Sequence, residues 1–373
     1  MNSARRAGLA WLLAAPGVGA LAPARGATTD QRTPDDGWLV PASKAFAVVR
    51  PDTRLRFPVD HGAHPDFRTE WWYVTACVTS EGRMLGVQIT FFRSRTVHDP
   101  ANPSRFAPHQ LLLAHAAIAD AAHGRLRHSQ RSARLGWRDS RCARHDTDLA
   151  LGDWQLRRSV DDRYTTRAEG RDFALDLVFE PAGPPWLQGD AGYSRKGPDA
   201  GRASHYYSRA GLRVGGTLRL DGRPLRIDEG VAWLDHEWSS EVLDPRAVGW
   251  DWVGLNFDDG SALMAFRIRG QEQSVLWTHG RWRNAGKAAS SVRFEPLRAW
   301  RSPRSGANYP VAIQLVVDGR TLELQPLLVD QELDARSSTG GFYWEGAMRV
   351  LEAGRSVGRG YLELTGYAAP LRL

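Results

Sequence analysis

Residues 70–93 read EWWYVTACVTSEGRMLGVQITFFR. In the second half, Leu85, Val87, Ile89 and Phe91 alternate with Gly86, Gln88 and Thr90, the period of a strand with one face in a core. In the first half, Trp71 to Val78 is rich in aromatic and β-branched residues, and Thr79-Ser80-Glu81-Gly82 closes the pair as a hairpin. The same pattern returns along the chain. Val253, Leu255 and Phe257 lead through Asp258-Asp259-Gly260 into Ala262, Met264, Phe266 and Ile268. Val311, Ile313, Leu315 and Val317 precede Asp318-Gly319, with Leu322 and Leu324 beyond it, and Leu212 to Leu220 ends in Asp221-Gly222. Aspartate-glycine pairs between alternating runs are strong hairpin signals. Tyr361 to Leu364 reads as a last short strand, with Leu362 and Leu364 on its buried face and Glu363 turned to solvent.

No long amphipathic helix interrupts this pattern, and no strand–helix alternation argues for a parallel sheet. The expected fold class is all-β, with two tandem domains of many short antiparallel strands, as in barrels and sandwiches. The hairpins Trp72 to Arg93 and Trp252 to Arg267 look like distant copies of one another. Each joins an aromatic strand through a Gly turn to an apolar strand that ends in arginine. The segment from Gly183-Pro184-Pro185-Trp186 to Gly192-Tyr193-Ser194-Arg195-Lys196-Gly197 is too irregular for a strand. Its Trp186 and Tyr193 mark it as a packed, functional loop rather than a free excursion.

Composition narrows the function classes. The chain has 373 residues, 42% of them hydrophobic and 24% charged, which excludes a disordered tail and a disulfide-stapled miniprotein. That length accommodates about two domains of ~150 residues. Of the 49 cations only Lys44, Lys196 and Lys287 are lysines, and the formal charge is +7. Arg5, Arg6 and Arg25 lie in residues 1–26, which hold no acid, so the remainder carries 46 cations against 42 anions. The arginines are dispersed among acids and form no block suited to phosphates, so nucleic acid is not an expected partner.

The N-terminus reads as an export signal. Arg5-Arg6 precede an apolar stretch from Ala7 to Ala22, and Ala24 and Gly26 supply the small residues of a cleavage site. The stretch is shorter than the ~20 residues of a spanning helix, and no later segment reaches that length, so the chain is not expected to span a membrane. No cysteine sits near the cleavage region to carry a lipid anchor. The expected location is therefore the periplasm, with residues 1–26 as signal peptide and 27–50 as linker. Cys77 and Cys142 suit an oxidising compartment as one disulfide and suit a core equally well as two thiols.

Four clusters combine aromatic and ionisable residues: Asp60-His61-Gly62-Ala63-His64 with Glu70-Trp71-Trp72-Tyr73; Ser204-His205-Tyr206-Tyr207-Ser208; Trp233 to Ser240; and Gly249-Trp250-Asp251-Trp252. Charged groups within such apolar runs are costly to bury unless they bond to one another, which points to a shared interior pocket. Other chemistries fit less well. Gly354-Arg355-Ser356-Val357-Gly358 has serine-hydrolase spacing, but no histidine follows it and a hairpin loop accounts for it. His61-x-x-His64 with Asp60 and Glu70, or His236 between acids, lacks the HExxH spacing that sets two ligands on one helical face. Neither a metal nor another cofactor is expected, and no glycine-rich phosphate loop follows a strand.

The strings FPVDHGAHPDFRTEWWYVTA, GVQITFFR, GYSRKG, SHYYS, AWLDHEWSS and GWDWVGLNFDDGSALMAFRIR, spread over residues 55–270, resemble the AttH-type family. That family is similar to the carotenoid 1,2-hydratases and, more distantly, to certain fungal pericyclases. The resemblance implies two lipocalin-like β-barrel domains, taken here as residues 51–240 and 241–373. It also implies partnership with an ABC exporter permease. One expectation is therefore an exported accessory protein binding a small apolar ligand, with His61, Glu70, Trp71, Trp72, His205, Tyr206, Tyr207, Trp238, Trp250 and Trp252 around it. The other is a hydratase, cyclase or isomerase acting on a polyene or terpenoid. Hydrating an isolated double bond needs an acid, a cation-stabilising aromatic face and a base for water. His236-x-Trp238 resembles the His-x-Trp of the hydratases and would supply base and wall, with Asp235, Glu237 or Asp251 as proton donor. The hydratases also have a Tyr-x-Asp pair downstream. Here the nearest forms are Tyr343-x-Glu345 and Tyr361-x-Glu363, which lie far along the chain. Cleavage after Gly26 predicts that intact-mass measurement of protein recovered from the periplasm gives a chain beginning at Ala27; a chain retaining Met1 would remove the export reading.

Overall fold

The computed structural model describes residues 46–98, 102–104, 106–137, 139–285 and 287–371. The proposed leader and most of the linker lie outside the described residues. Among the described residues the regular structure is strands, apart from two three-residue helical turns at Val59–His61 and Gln271–Gln273. No helix among them is long and apolar enough to cross a membrane.

The first sheet contains β1 (Thr69–Ser80), β2 (Arg83–Arg95), β3 (Gln110–Asp120), β4 (Arg127–Arg134), β5 (Ser140–Cys142), β6 (Asp148–Leu151) and β7 (Trp154–Arg158). It continues with β8 (Tyr164–Glu169), β9 (Phe173–Glu180), β10 (Trp186–Leu187), β11 (Tyr193–Arg195), β12 (Ala203–Leu220), β13 (Arg223–Arg226) and β14 (Glu229–Ser239). The second contains β15 (Gly249–Phe257), β16 (Ala262–Arg269), β17 (Val275–Trp282), β18 (Val292–Arg301) and β19 (Asn308–Val317). It is completed by β20 (Arg320–Pro326), β21 (Glu332–Asp334), β22 (Phe342–Glu352) and β23 (Arg355–Leu364).

Both sheets are antiparallel meanders whose first strand pairs with their last: β1 with β14, and β15 with β23. The strand order β4-β3-β2-β1-β14-β12-β9-β8-β7-β6-β5 leaves the first sheet open between β4 and β5. The order β17-β16-β15-β23-β22-β20-β19-β18 leaves the second open between β17 and β18. Each sheet thus curls into a nearly closed barrel, which gives the all-β class expected from the alternating runs and the two lipocalin-like barrels that the family resemblance implies. The turns explain the register. Glu81-Gly82, Asp221-Gly222 and Asp318-Gly319 take positive φ at both residues, the twist that matches two tightly joined strands.

Alternation divides the residues of the three largest core clusters. Trp72, Val74, Ala76 and Val78 of β1 join Leu85, Val87, Ile89 and Phe91 of β2 in the first barrel's interior cluster. Val253, Leu255, Leu362 and Leu364 belong to the second barrel's cluster. Tyr73, Cys77, Tyr206 and Trp233 of the first sheet pack with Trp252, Phe266, Ala347 and Tyr361 of the second in a cluster between the sheets. The strands at this contact are therefore covered on both faces. Two sequence expectations change as a result. Glu363 does not face solvent but opens on the space between the sheets, because the face opposite Leu362 and Leu364 is covered by the first sheet. The Gly/Pro segment is not strand-free, since Trp186–Leu187 and Tyr193–Arg195 pair with β12 and hold the segment against it.

The resemblance between the two hairpins extends to their pairing. Glu70 lies opposite Arg93 and Trp71 opposite Phe92, just as Asp251 lies opposite Arg267 and Trp252 opposite Phe266. In each hairpin the acid–arginine pair is buried and the aromatic pair faces the other sheet. Cys77 and Cys142 are free thiols rather than a disulfide. Ser356 follows the β22–β23 turn at Ala353-Gly354, the hairpin reading of that segment.

At Gly86 the two sheets meet with no room for a side chain. A Cβ added to Gly86 would lie 2.6 Å from both Ala347 Cβ and Tyr361 Oη, and 3.1 Å from Ala119 Cβ. Gly86→Val is expected to destabilise the protein by about 1–3 kcal/mol through overpacking at this contact, read by urea unfolding. Unchanged stability would show that the sheets do not meet there.

Candidate functional site

The space between the sheets holds a cavity of about 100 Å³ that opens partly to solvent. Trp71 and Tyr73 of β1, Phe92 of β2 and Asp235 and Glu237 of β14 form one wall. Trp250 and Trp252 of β15, Phe266 and Ile268 of β16, Tyr343 and Glu345 of β22 and Glu363 of β23 form the other. Lys196, at the end of the Gly/Pro segment, reaches in from the side. Seven of the sixteen lining residues are thus aromatic, beside four acids placed by strand parity.

Those acids differ in their partners. Asp235 accepts hydrogen bonds from Tyr206 Oη (2.7 Å), Ser208 Oγ (2.5 Å) and Trp233 Nε1 (2.7 Å). Burial nevertheless pushes its carboxyl up to about 7. Glu345 and Glu363 are direct cross-strand neighbours, a like-charge pair in a desolvated place. Burial raises both, Glu345 well above the carboxylate range with Glu363 beside it, and Glu363 to about 7 with Asp235 and Glu237 across the cavity. Glu363 Oε2 accepts from Trp250 Nε1 at 3.1 Å. By contrast Glu237 has a cation, with Lys196 Nζ 2.9 Å from its Oε1. The same ammonium sits 4.7 Å from the Tyr206 ring centre and 4.4 Å from that of Phe266. The cavity can therefore present neutral carboxyls near pH 7, together with aromatic faces able to stabilise a cation.

A second polar cluster lies on the opposite face of β1 and β14, inside the first barrel. Glu70 Oε1 is 2.7 Å from His64 Nδ1 and 2.9 Å from His236 Nε2, while Arg93 Nε donates to Oε2 at 2.7 Å. Although burial alone would raise it, the Arg93 and His64 charges hold the Glu70 carboxyl well below the usual range. Burial lowers His236 to about 4. Burial likewise lowers His61 to about 3, with Arg158 and Arg209 adding to the effect. His64 is raised instead, because Glu70 and Asp60 outweigh its desolvation. Tyr207 Oη links the histidines, 2.7 Å from His61 Nδ1 and 3.3 Å from His236 Nδ1. Trp72 stacks on His236 and Trp238 on His64, and His205 packs against Trp238.

The residues expected around one interior pocket therefore occupy three spaces. Trp71, Asp235, Glu237, Trp250 and Trp252 line the intersheet cavity, with Tyr206 behind Asp235. His61, Glu70, Trp72, His205, Tyr207, His236 and Trp238 belong to the first barrel's cluster. Asp251 lies in neither, since its carboxylate is held by Arg267 Nε (2.5 Å), Arg269 Nε (2.8 Å) and Tyr367 Oη (3.0 Å). The expectation of a shared pocket fails because consecutive strand residues point to opposite faces, so Asp235-His236-Glu237 cannot act together. Sequence reasoning set aside Glu345 and Glu363 for their distance along the chain, although β22 and β23 carry both to the cavity. It also left Lys196 of GYSRKG without a role. The Tyr-x-Glu spacing was the available signal, since residues two apart share a strand face.

A carboxyl whose folded pKa exceeds its unfolded value stabilises the fold at low pH and loses that contribution as pH rises through the folded value. The stability contributed by Glu363 should therefore be lost as pH rises from about 4.5 to 7. Urea unfolding of the parent and Glu363→Gln at pH 5 and pH 7.5 is expected to show the smaller decline in the variant. Equal declines would place the Glu363 carboxyl in a solvated environment.

The comparisons with known proteins agree with this architecture. The AttH-like family model matches residues 48–367. The crystal structure of a protein assigned as AttH from Nitrosomonas europaea shares 48% identity, covering 86% of this chain and 100% of that one at a TM-score of 0.80. Kievitone hydratase from Nectria haematococca shares 14% identity, with 87% and 97% coverage and a TM-score of 0.64. CghA, solved with Sch210972, shares 12% identity, with 82% and 90% coverage and a TM-score of 0.50. The last two are similar in fold alone. No curated protein sequence matches the chain. With its matched region running through both barrels, the chain belongs to the AttH-like family.

Proposed function

We propose that the chain is an exported enzyme of hydratase, cyclase or isomerase type, which binds a neutral, unsaturated, apolar molecule such as a terpenoid or polyene between its sheets. The observation that carries this reading is the convergence of Asp235, Glu345 and Glu363 on one aromatic-lined cavity. A pocket that served only to hold an apolar ligand has no need of acids kept neutral by burial, which are costly to place. Proton donors of that kind are what alkene chemistry requires. In the proposed step a neutral carboxyl at Glu363 or Asp235 gives its proton to one alkene carbon, whose π electrons form the new C–H bond. The adjacent carbon becomes a tertiary cation facing Trp71, Trp250 and Trp252. Water then adds its oxygen to that carbon, and a carboxylate takes the released proton, so the net change is addition of one water. Loss of a neighbouring proton, or attack by a second double bond, gives isomerisation or cyclisation from the same cation. Similarity of fold to a hydratase supports this class without specifying a substrate.

The second reading keeps the aromatic cavity as a carrier site, with an ABC exporter permease receiving the ligand, as the family resemblance implies. The experiment that separates the two starts from native mass spectrometry of the mature protein and extraction of any bound molecule, followed by turnover assays on terpenoids and polyenes. Of Glu363→Gln and Asp235→Asn, the variant that removes the donor is expected to lower kcat by about 10²–10⁴-fold, with ligand affinity changed little. The rate should fall as pH rises above about 7, where the donor loses its proton. Parent rates in both variants would remove the acid role, and a ligand recovered chemically unchanged under every condition would favour the carrier.

A further inference from the structure

We propose that His64, Glu70 and His236 form a binding site for a divalent transition-metal ion, distinct from the intersheet cavity and on the other face of β1 and β14. One donor atom from each side chain lies within 4.8 Å of the others. Glu70 Oε1 is central, at 2.7 Å from His64 Nδ1 and 2.9 Å from His236 Nε2. Zinc bonds of ~2.0–2.1 Å in a tetrahedron set neighbouring donors ~3.3 Å apart, so each histidine nitrogen needs to part from Glu70 Oε1 by only about 0.4–0.6 Å.

The surroundings have the form that holds metal ligands in orientation. The far atom of each donor group is already engaged. Asp60 Oδ1 is 3.3 Å from His64 Nε2, Tyr207 Oη is 3.3 Å from His236 Nδ1, and Arg93 Nε bonds Glu70 Oε2 at 2.7 Å. A carboxylate behind a ligating histidine is a typical outer-shell partner, and the Tyr207 phenol takes the same place behind His236, so that each ring is held with its inner nitrogen toward Glu70. Trp238 stacks on the His64 ring at 3.7 Å and Trp72 on that of His236 at 4.4 Å, closing the sides with apolar surface. Access remains, because the His64 side chain keeps 17% of its surface exposed while Glu70 and His236 keep none.

Two imidazoles and one carboxylate suit zinc or ferrous iron rather than magnesium or calcium, which prefer oxygen ligands throughout. The absence of an HExxH motif does not count against the site. That spacing places ligands one turn apart on a helix, whereas here the sheet does the placing. β1 and β14 pair Glu70 with Trp238 and Trp72 with His236, so Glu70 and His236 are diagonal neighbours on one face. The turn at Val59–His61 and the residues after it deliver His64.

The test uses untagged, chelator-treated mature protein and zinc or cobalt ions alone. The parent is expected to retain one zinc per chain through gel filtration, to gain thermal stability with added zinc, and to give a cobalt d–d absorption band. His64→Gln, at the partly exposed ligand, should abolish retention, stabilisation and band while the circular dichroism spectrum stays that of the parent. His236→Ala and Glu70→Gln should do the same wherever they fold. Folded parent protein that takes up no more zinc or cobalt than His64→Gln would overturn the proposal and leave the cluster as a hydrogen-bonded plug of the barrel.

Discussion

A strand covered on both faces must send alternate side chains into two different environments, and this constraint governs the molecule. β1, β14, β15, β22 and β23 each contribute to a barrel interior on one side and to the contact between sheets on the other. Dense strings such as Trp233-Leu234-Asp235-His236-Glu237-Trp238 look like single sites when read along the chain. In the fold they are two interleaved sets. Asp235 and Glu237 meet the second sheet, whereas His236 and Trp238 meet Glu70, Trp72 and His64.

The two faces treat charge in opposite ways. Inside the barrels each acid is matched by cations: Glu70 by Arg93, and Asp251 by Arg267 and Arg269. Removing one partner from such a buried pair would leave an uncompensated charge, which is far more costly than the pair is stabilising. These pairs tie β1 to β2 and β15 to β16 at the same place in both hairpins. Between the sheets, Glu345 and Glu363 have each other instead of an arginine, and Asp235 has only neutral donors. Such groups relieve their desolvation by keeping a proton rather than by pairing. Asp235, Glu345 and Glu363, left without a cation on the shared face where Glu237 has Lys196, are the reason to place proton-transfer chemistry in the intersheet cavity.

Much of the fold was legible in the sequence. Alternation in Leu85 to Phe91 and Val311 to Val317, with glycine-containing turns between runs, fixed strands, hairpins and the all-β class, because strand periodicity and turn chemistry are local properties. The repeated hairpin, an aromatic strand, a glycine turn and an apolar strand ending in arginine, was visible for the same reason. Part of the candidate site was legible too, since Trp71, Asp235, Glu237, Trp250 and Trp252 all border the cavity. What failed were inferences that assumed one face of every strand meets water. Glu363 was assigned to solvent because Leu362 and Leu364 were inward, a rule that holds only for a sheet exposed on its outer side.

By itself, then, the sequence determined strand content, hairpin register and the residue types from which a site could be built. Tertiary structure alone decided which of them meet. Glu345 and Glu363, more than a hundred residues after Asp235, reach its cavity because the second sheet packs on the first and not because of any spacing along the chain. His236, one residue from Asp235, is excluded from that cavity because adjacent side chains of a strand point apart. Sequence order carries the local period, but the covering of a sheet's second face is a long-range contact, and it sets both the partners and the protonation of the acids.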